Sequence, residues 1–247
     1  MSQIKTFGVI GSGEFGPVVA QHLAPTGAEV FVFDKNPDAP TPPGAKKAGF
    51  TAVTGANVIV LAVPYDSYES LLPQLAAQSH PDSLIVDVCS VKMKPTASFN
   101  AHGLITRGNF LMTHPLFGPQ TAGSGIEGKN LAVTYQAGRL AEQLLEVWQQ
   151  KGVNIVEMCA TKHDLEMAKV HVLTFFVGRT LLEMGIEPSP LNTPYYSELL
   201  DLVEVERHHS LELFYTIQRH NPFAAGMRRK FIAKLQELDD RILAQLA

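Results

Sequence analysis

The feature that most constrains the fold lies near the N-terminus, where a short apolar run leads through a glycine-rich turn into an apolar helix. Residues 4–10 have the composition of a buried strand, and Gly11-Ser12-Gly13-Glu14-Phe15-Gly16 follows at once. A G-x-G-x-x-G turn between a strand and a helix is typical of dinucleotide-binding folds, because its glycines allow a tight turn and close approach of a pyrophosphate. The sequence therefore predicts that these six residues hold a dinucleotide at a helix N-terminus.

The carboxylate of Asp34 indicates which dinucleotide is favoured. Asp34 ends the second predicted strand, residues 28–33, and lies 21 positions after Gly13 (34 − 13). An acid about 20 residues beyond the turn binds the ribose 2′-hydroxyl of NAD and repels the 2′-phosphate of NADP. We therefore expect NAD as the cofactor, with NADP less favoured although Lys35 could tolerate a phosphate.

Further apolar runs predict the rest of a parallel sheet. Runs of this kind, separated by segments of helical length, are typical of strands that are covered on both faces. The four prolines of residues 37–44 predict an irregular surface loop. We expect Val63 and Pro64, at the end of the third strand, to contact the cofactor. The additional strands are predicted at residues 57–63, 83–88, 109–112, 130–135 and 153–157, with a helix at 140–150.

The pattern becomes helical after residue 158. We therefore predict a doubly wound, mainly parallel α/β domain over residues 1–158, followed by an all-helical domain over residues 159–247. Helices are expected at 160–184, 196–219 and 227–246, and a homodimer would bury their apolar stripes. The stripes consist of Met167, Val170, Val177, Leu181 and Met184 on the first helix and of Phe231, Leu235, Leu238 and Ile242 on the last.

Composition excludes several classes of protein. The net charge of −4 argues against a nucleic-acid or membrane-surface protein, since those partners require a basic face. Cys89 and Cys159 form no CxxC pair, so we expect neither a disulfide framework nor a structural zinc. The glycine-rich turn begins at Gly11, which leaves no room for a leader before it, and no apolar run is long enough to span a membrane. We expect a cytoplasmic protein without a metal.

Two polar side chains follow predicted strand ends. Ser90 comes after the strand at 83–88, and His114 lies in the segment 113–119, whose two prolines and glycine predict a rigid loop. Ligands of open α/β sheets bind at the carboxyl ends of the strands, so both residues are expected in one crevice. An imidazole titrates close to neutral pH, and a fixed histidine is therefore a candidate general base.

The order of these motifs resembles the prephenate/arogenate dehydrogenase family of tyrosine biosynthesis. The chain carries the glycine-rich turn, then Ser90-Val91-Lys92, then His114-Pro115-Leu116-Phe117-Gly118-Pro119, then Lys162-His163-Asp164. It departs from the family pattern at Leu116, where methionine is usual, and at Lys162, where glutamate is usual. The resemblance covers essentially the whole chain and is strongest to the compact, plant-like branch of the family.

The resemblance implies an oxidative decarboxylation of prephenate to 4-hydroxyphenylpyruvate with reduction of NAD(P)+. It implies that His114 accepts the proton of the substrate hydroxyl and that Ser90 hydrogen-bonds the same oxygen. It also implies substrate contacts for a set of polar residues in both halves of the chain. These are Gln120, Thr121, His171 and Thr193.

The residue before Ser210 bears on the choice of substrate. Arogenate-preferring members of the compact branch carry an acid there, which can pair with the substrate ammonium, whereas this chain has His209. We therefore predict a preference for prephenate, with His209 assisting a carboxylate; arogenate or dual specificity is the alternative. The arginine that binds the substrate carboxylate in other branches is not placed by the sequence. Arg179, Arg207, Arg228 and Arg229 all remain open.

Two other interpretations are compatible with a dinucleotide-binding half and a helical half. A β-hydroxyacid dehydrogenase or an imine reductase would place a lysine on the helix between the halves. Lys162 and Lys169 are available there, but neither lies in a recognised motif. A non-catalytic NAD-sensing protein could keep the fold as well. The presence of both Ser90 and His114 argues against a sensor, which needs neither side chain.

Overall fold

In a computed structural model of the chain, residues 4–246 are described, and the first of its two compact units ends at His163. This unit is built on one sheet with the strand order β3-β2-β1-β4-β5-β6-β7-β8. All neighbouring strands are parallel except β6 and β7. The prediction of a doubly wound, mainly parallel sheet is therefore confirmed. The strands are β1 Thr6–Ile10, β2 Glu29–Phe33, β3 Lys46–Lys47, β4 Val58–Leu61, β5 Leu84–Asp87, β6 Phe110–Pro115, β7 Asn130–Ala137 and β8 Asn154–Glu157.

Helices connect the strands of this unit. The helix after the glycine-rich turn begins as α1 and continues as one π-helical stretch, Val19–Leu23. Short 3₁₀ turns precede α3 and β6 at Tyr65–Ser67 and Ile105–Arg107. The α-helices are α1 Gly16–Val18, α2 Phe50–Thr54, α3 Tyr68–Gln78, α4 Met93–Ala101, α5 Pro119–Ala122 and α6 Arg139–Gln150.

The central strands are buried on both faces, which explains their nearly continuous apolar sequences. In β4, Val58 and Val60 belong to one apolar core, whereas Ile59 and Leu61 belong to the core on the opposite face. This alternation follows from the period of two in a strand. The indole of Trp148 is fully buried in the first core.

Helix α6 is joined by hydrogen bonds to the end of the first helix. Trp148 donates from Nε1 to the carbonyl of Leu23 at 2.8 Å. Lys151, which follows α6, donates from Nζ to the carbonyls of His22 and Ala24. Carbonyls at a helix C-terminus lack partners within the helix, so these donors satisfy groups that would otherwise be unpaired.

The segment predicted as a rigid loop at 113–119 begins as a strand. Thr113, His114 and Pro115 are the last residues of β6 and pair with β7, with His114 opposite Ala132. The prediction missed this because Pro115 suggested a break, although a proline can occupy the end of a strand. The register shifts between Met112 and Thr113, and such a bulge re-aims the side chains that follow it.

The second unit, Asp164–Ala247, is helical, as predicted. The boundary lies after His163, five residues beyond the predicted one at 158 (163 − 158). A π-helix, Ala168–Leu173, interrupts the predicted long helix between α7 and α8. Helix α7, Ala160–Met167, begins before the boundary and ends after it. The other α-helices of this unit are α8 Thr174–Glu183, α9 Pro194–His208, α10 Leu211–His220 and α11 Ala224–Leu246.

The buried face of this interrupted helix differs from the predicted stripe. Val170 and Met184 are 58% and 66% exposed. Met167 is buried as predicted, but the buried apolar side chains after it are Ala168, Val172 and Phe175. The wider π turn changes the angle between successive side chains, so a stripe extrapolated at 3.6 residues per turn points the wrong way after it.

The single helix predicted at 196–219 is two helices. His209 adopts an extended backbone conformation, with φ −83° and ψ 137°, and ends α9. The Ser210 hydroxyl then accepts a hydrogen bond from the amide of Leu213 and begins α10. A serine N-cap competes with continuation of the preceding helix, and this local effect overrode the apolar pattern.

Helix α11 carries apolar side chains that the unit itself leaves exposed. Leu235, Leu238 and Ile242 are 51%, 46% and 51% exposed. Within residues 4–246, no helix is both long and apolar enough to cross a membrane.

Candidate active site

The glycine-rich turn has the geometry that a dinucleotide requires. Gly11 has φ +104°, and a Cβ atom there would lie 2.3 Å from the carbonyl oxygen of Ala62. A Cβ atom on Gly16 would lie 2.3 Å from the carbonyl oxygen of Gly11. Gly13 differs, because a Cβ atom there would meet no atom within 4 Å and would occupy open space. Two glycines thus pack the turn, and the third leaves a surface that a pyrophosphate can approach.

Asp34 lies directly beside this turn. Its carboxylate accepts hydrogen bonds from the amide of Ser12 at 2.7 Å and from the amide of Asn36 at 2.8 Å. The Ser12 hydroxyl donates to the carbonyl of Pro40, so the proline-rich loop packs against the turn. Glu14 is exposed and Phe15 is half-buried within the same turn. An acid at the end of β2 beside an open glycine surface fits the ribose and pyrophosphate of a nicotinamide dinucleotide.

The other predicted residues of this unit lie at the same edge of the sheet. Strands β1, β4, β5 and β6 are mutually parallel, so their carboxyl ends share one edge. Val63 and Pro64 follow β4, and Ser90 follows β5. His114 lies near the end of β6 and is only 3% exposed, whereas Ser90 is half-buried. This edge is where open α/β sheets bind their ligands.

A buried ion pair joins the ends of β5 and β6. Asp87 and Lys92 are both fully buried, and Lys92 Nζ donates to the Asp87 carboxylate and to the carbonyl of Thr113. The Thr113 hydroxyl donates back to the carbonyl of Asp87 at 2.8 Å. Since Ser90 lies between the two charged residues and His114 follows Thr113, this pair sets the spacing of both candidate catalytic side chains.

A tyrosine completes the buried cluster. The hydroxyl of Tyr68, on α3, donates to the second oxygen of the Asp87 carboxylate, which also accepts from the amide of Cys89 at 3.3 Å. Burial, with the charge of Asp87 as a further cause, raises the pKa of the Tyr68 phenol well above its ordinary value. The phenol therefore stays protonated at neutral pH and remains a hydrogen-bond donor.

His114 contacts a second buried histidine. Its Nδ1 atom lies 3.0 Å from Nε2 of His163, and the two rings meet edge to face with centroids 5.1 Å apart. His163 is fully buried on α7, within the first unit. One ring nitrogen of the candidate base is therefore committed to a protein partner, which fixes the direction of the ring.

Gln120 and Thr121 lie on α5, immediately after the segment that carries His114. Both are exposed. The Thr121 hydroxyl accepts a hydrogen bond from the amide of Gly118 at 3.1 Å, which makes it part of the local structure of this turn. The described contacts assign no ligand to either side chain, so their substrate contacts stay predictions.

Within the second unit, two predicted residues share one aromatic neighbour. The ring of Phe175 meets His171 edge to face at 4.4 Å and stacks on His209 at 4.5 Å. Nδ1 of His209 lies 3.2 Å from an oxygen of Glu206, a carboxylate that is fully buried. The other oxygen of Glu206 lies 3.6 Å from Nε of Arg179. His209 is thus part of a buried polar cluster and not an isolated surface side chain.

Thr193 is placed at the far end of α9 from His209. The Thr193 hydroxyl accepts a hydrogen bond from the amide of Tyr196 at 3.2 Å and caps the N-terminus of α9, whereas His209 is the C-cap of the same helix. The sixteen residue steps from Thr193 to His209 (209 − 193) span about 24 Å, at 1.5 Å per step along the helix. One small substrate cannot contact both residues of the same chain.

The open arginine positions also differ in their surroundings. Arg179 donates to the backbone carbonyls of Glu206 and His209, so it lies beside His209. Arg207 pairs with Glu204 on an exposed surface, and Arg228 donates to Gln218. Arg229 is exposed. Among residues 4–246, no group of three or more His, Cys, Asp or Glu side chains could hold a metal ion.

Sequence reasoning does not anticipate the groups that support the site. Lys92 and His163 were noted only as parts of motifs. No role was predicted for Asp87, Tyr68 or Glu206. Asp87 could have been suspected, since a carboxylate at the end of an otherwise apolar strand requires a partner. The contact between His114 and His163 joins residues 49 positions apart, and no local pattern encodes it.

Comparison with known proteins is consistent with this geometry. Residues 43–156 match the family model described as prephenate dehydrogenase, nucleotide-binding domain. Residues 180–247 match a model described as TYRAAT1-like, C-terminal domain. Arogenate dehydrogenase 2, chloroplastic, of Arabidopsis thaliana is 32% identical over 253 residues, an alignment that covers 96% of this chain and 70% of the relative.

The chain belongs to the prephenate/arogenate dehydrogenase family. A second relative, arogenate dehydrogenase 1, chloroplastic, of Arabidopsis thaliana, is 28% identical over 99% of this chain, which spans only 40% of that protein. The fold agrees with a crystal structure of prephenate dehydrogenase from A. aeolicus, with a TM-score of 0.74 at 17% identity over 98% of this chain and 92% of that one.

A pair of glycine substitutions tests the cofactor site of this family member. Gly11→Ala should lower the free energy of unfolding by at least about 1–3 kcal/mol, because it combines a positive φ with a clash against backbone. Gly13→Ala should leave that free energy within about 0.5 kcal/mol of the wild type. It should instead weaken NAD+ binding by about tenfold or more, equivalent to about 1.4 kcal/mol, because its methyl group occupies the open surface.

Urea denaturation and isothermal titration calorimetry measure the two effects separately. If Gly13→Ala bound NAD+ as tightly as the wild type, the dinucleotide would not approach this turn, and the cofactor site would have to lie elsewhere.

Proposed function

We propose that the chain oxidises prephenate with NAD+ and releases CO2 and 4-hydroxyphenylpyruvate. The observation that carries this proposal is the placement of three features at one edge of the sheet. The glycine-rich turn follows β1, Ser90 follows β5, and His114 lies at the end of β6. A hydride acceptor, a hydrogen-bond donor and a base are the groups that oxidation of a ring hydroxyl requires.

In this proposal the reaction needs one proton acceptor and no net proton from solvent. The bound nicotinamide supplies the electron-pair acceptor for the hydride that leaves C4 of the substrate ring. His114 takes the hydroxyl proton from the same carbon, while Ser90 hydrogen-bonds the oxygen and orients it. The ring ketone then loses CO2, and the electrons of the broken C–C bond make the ring aromatic. The proton held by His114 returns to the resulting phenolate oxygen.

We infer that NAD is the cofactor in preference to NADP. The Asp34 carboxylate lies at the end of β2 beside the amide of Ser12. A carboxylate in this position favours a ribose hydroxyl and opposes a 2′-phosphate. The prephenate dehydrogenase from A. aeolicus was crystallised in complex with hydroxyphenyl propionate and NAD+, which supports the same choice. Lys35 is the neighbouring group that would favour NADP.

We infer further that His209 recognises the keto-acid side chain of prephenate. Glu206 is the acid that contacts His209, but it is fully buried and also lies against Arg179. The Glu206 carboxylate is therefore not available to an ammonium group, whereas an imidazole held by Glu206 can donate to a carboxylate.

Arogenate is the second candidate substrate, and the names of the two Arabidopsis relatives favour it. The two substrates differ only where prephenate has a keto group and arogenate an ammonium. The choice therefore depends on the groups that surround the side chain and not on Ser90 or His114.

We propose that two copies of the chain associate through α11. Leu235, Leu238 and Ile242 recur at helical spacing and are about half exposed within one chain. Exposed apolar stripes of this kind are typical of interfaces. A dimer would also allow Thr193 of one copy and His209 of the other to serve the same substrate, since the two residues of one chain lie too far apart.

Substrate preference is tested by replacing His209. The wild type should reduce NAD+ with a higher kcat/KM on prephenate than on arogenate. His209→Asp should shift the ratio of the two kcat/KM values towards arogenate by about tenfold or more, since the new carboxylate can pair with the ammonium of arogenate. His208→Asp, which changes the exposed neighbour in the same way, should leave the ratio unchanged.

The same assay includes a control for the base. His114→Asn should lower kcat by about 10²–10⁴-fold with both substrates, the range expected for loss of a general base. A wild type that reduced no NAD+ with either substrate would overturn the proposed function. If arogenate were turned over much faster than prephenate, only the proposed role of His209 would be lost.

Sedimentation velocity tests the dimer. At micromolar concentration, the molecular mass of the wild type from sedimentation should be twice the 27.0 kDa of one chain. Leu235→Glu combined with Leu238→Glu should give a folded monomer, because two charges would be buried at the interface. The pair Lys234→Glu and Glu237→Lys, which reverses a neighbouring exposed ion pair, should remain dimeric. A monomeric wild type would contradict the proposal.

A further inference from the structure

The proton chemistry of His114 raises a question that its position in β6 does not answer. A neutral imidazole carries one hydrogen, which can reside on either ring nitrogen. Nδ1 of His114 lies 3.0 Å from Nε2 of His163, so Nε2 of His114 is the nitrogen that would take the substrate proton. His114 is competent as a base only if its own hydrogen is on Nδ1.

The hydrogen bond between the two rings can run in either of two directions. In one, Nδ1–H of His114 donates to Nε2 of His163, and His163 carries its hydrogen on Nδ1. In the other, Nε2–H of His163 donates to Nδ1 of His114, and His114 carries its hydrogen on Nε2. Only the first arrangement leaves a lone pair on the nitrogen that meets the substrate.

Because both rings are buried, the charge of one histidine affects the charge of the other. His114 is 3% exposed and His163 is fully buried. Two imidazolium rings with facing nitrogens 3.0 Å apart would both present N–H groups to each other and would repel strongly in such surroundings, so the pair holds at most one positive charge. When His114 accepts a proton at Nε2, neutral His163 stays the acceptor of Nδ1–H, and this hydrogen bond becomes charge-assisted and stronger.

We propose that His163 is a positioning residue that holds His114 in the Nδ1–H tautomer and stabilises the imidazolium formed during oxidation. This inference rests on the proposed role of His114 as the base. His163 itself does not contact the substrate. Its place at the start of α7, where its amide donates to the carbonyl of Cys159, holds its ring against the end of β6.

Two substitutions separate a tautomer effect from a packing effect. His163→Gln places an amide oxygen near the position of Nε2, where it can accept from Nδ1–H of His114. His163→Leu fills a similar volume but offers no acceptor. We expect His163→Leu to lower kcat by about 10²-fold with little change in KM, within the range for impaired general-base catalysis. His163→Gln should recover kcat to within about tenfold of the wild type.

Nitrogen NMR of ¹⁵N-histidine-labelled protein supplies a readout that needs no turnover. In the resting wild type, His114 should show a protonated Nδ1 and an unprotonated Nε2, assigned by loss of its signals in His114→Asn. The Nδ1–H form should persist in His163→Gln and give way to Nε2–H or a mixture in His163→Leu. His80→Gln, which changes an exposed histidine, is the control for both readouts.

The outcomes distinguish this inference from the proposed function. A wild type inactive on both substrates would remove the proposed function, whereas the tautomer measurement would still report on the histidine pair. An active wild type whose His114 carries its hydrogen on Nε2 would overturn the inference. It would also be overturned if the Gln and Leu variants lost kcat equally and in proportion to their loss of thermal stability. If His163→Leu did not fold, the wild-type tautomer and the kcat of His163→Gln would still decide.

Discussion

The edge of the sheet depends on the buried ion pair between Asp87 and Lys92. Two charges with no solvent exposure are costly, and they are tolerated only where each is paired and its remaining hydrogen-bonding capacity is used. Here the carboxylate also accepts from Tyr68 and from the amide of Cys89, and the ammonium also donates to the carbonyl of Thr113. The cluster therefore has one arrangement in which its members are satisfied together.

That arrangement determines the position of residues 87–92 relative to the end of β6. Ser90 lies within the segment that runs from Asp87 to Lys92, and His114 follows the carbonyl that Lys92 binds. A displacement of either segment would pull the Lys92 ammonium away from one of its buried partners. In the proposed reaction Ser90 and His114 meet one substrate oxygen, and fixed spacing favours this because little orientation entropy is then lost on binding. The cofactor side of the same edge is shaped differently, by the glycines of its turn and by Asp34.

The sequence was sufficient for the fold, because the main strands lie in apolar runs with polar boundaries and are followed by helical periodicity or turn residues. The glycine-rich turn, Ser90 and His114 were found for the same reason, since the first two follow strand ends and His114 lies at the end of β6. Other features depend on contacts between distant segments or on local effects weaker than the apolar pattern. The π-helix at Ala168–Leu173 rotated the buried face, and the Ser210 cap divided a predicted helix. His163 became part of the site only through a contact across 49 residues.

A double-mutant cycle on Asp87 and Lys92 tests the central claim most directly, by urea denaturation with Lys94→Met as the exposed control. Lys92→Met alone should lower the free energy of unfolding by about 3–5 kcal/mol, because it leaves the Asp87 charge buried without its partner. Combining it with Asp87→Asn should restore part of that loss, with a coupling energy of about 1–3 kcal/mol. The account would be contradicted if the loss in the double variant equalled the sum of the two single losses to within about 0.5 kcal/mol. The end of β6 would then be held by other contacts.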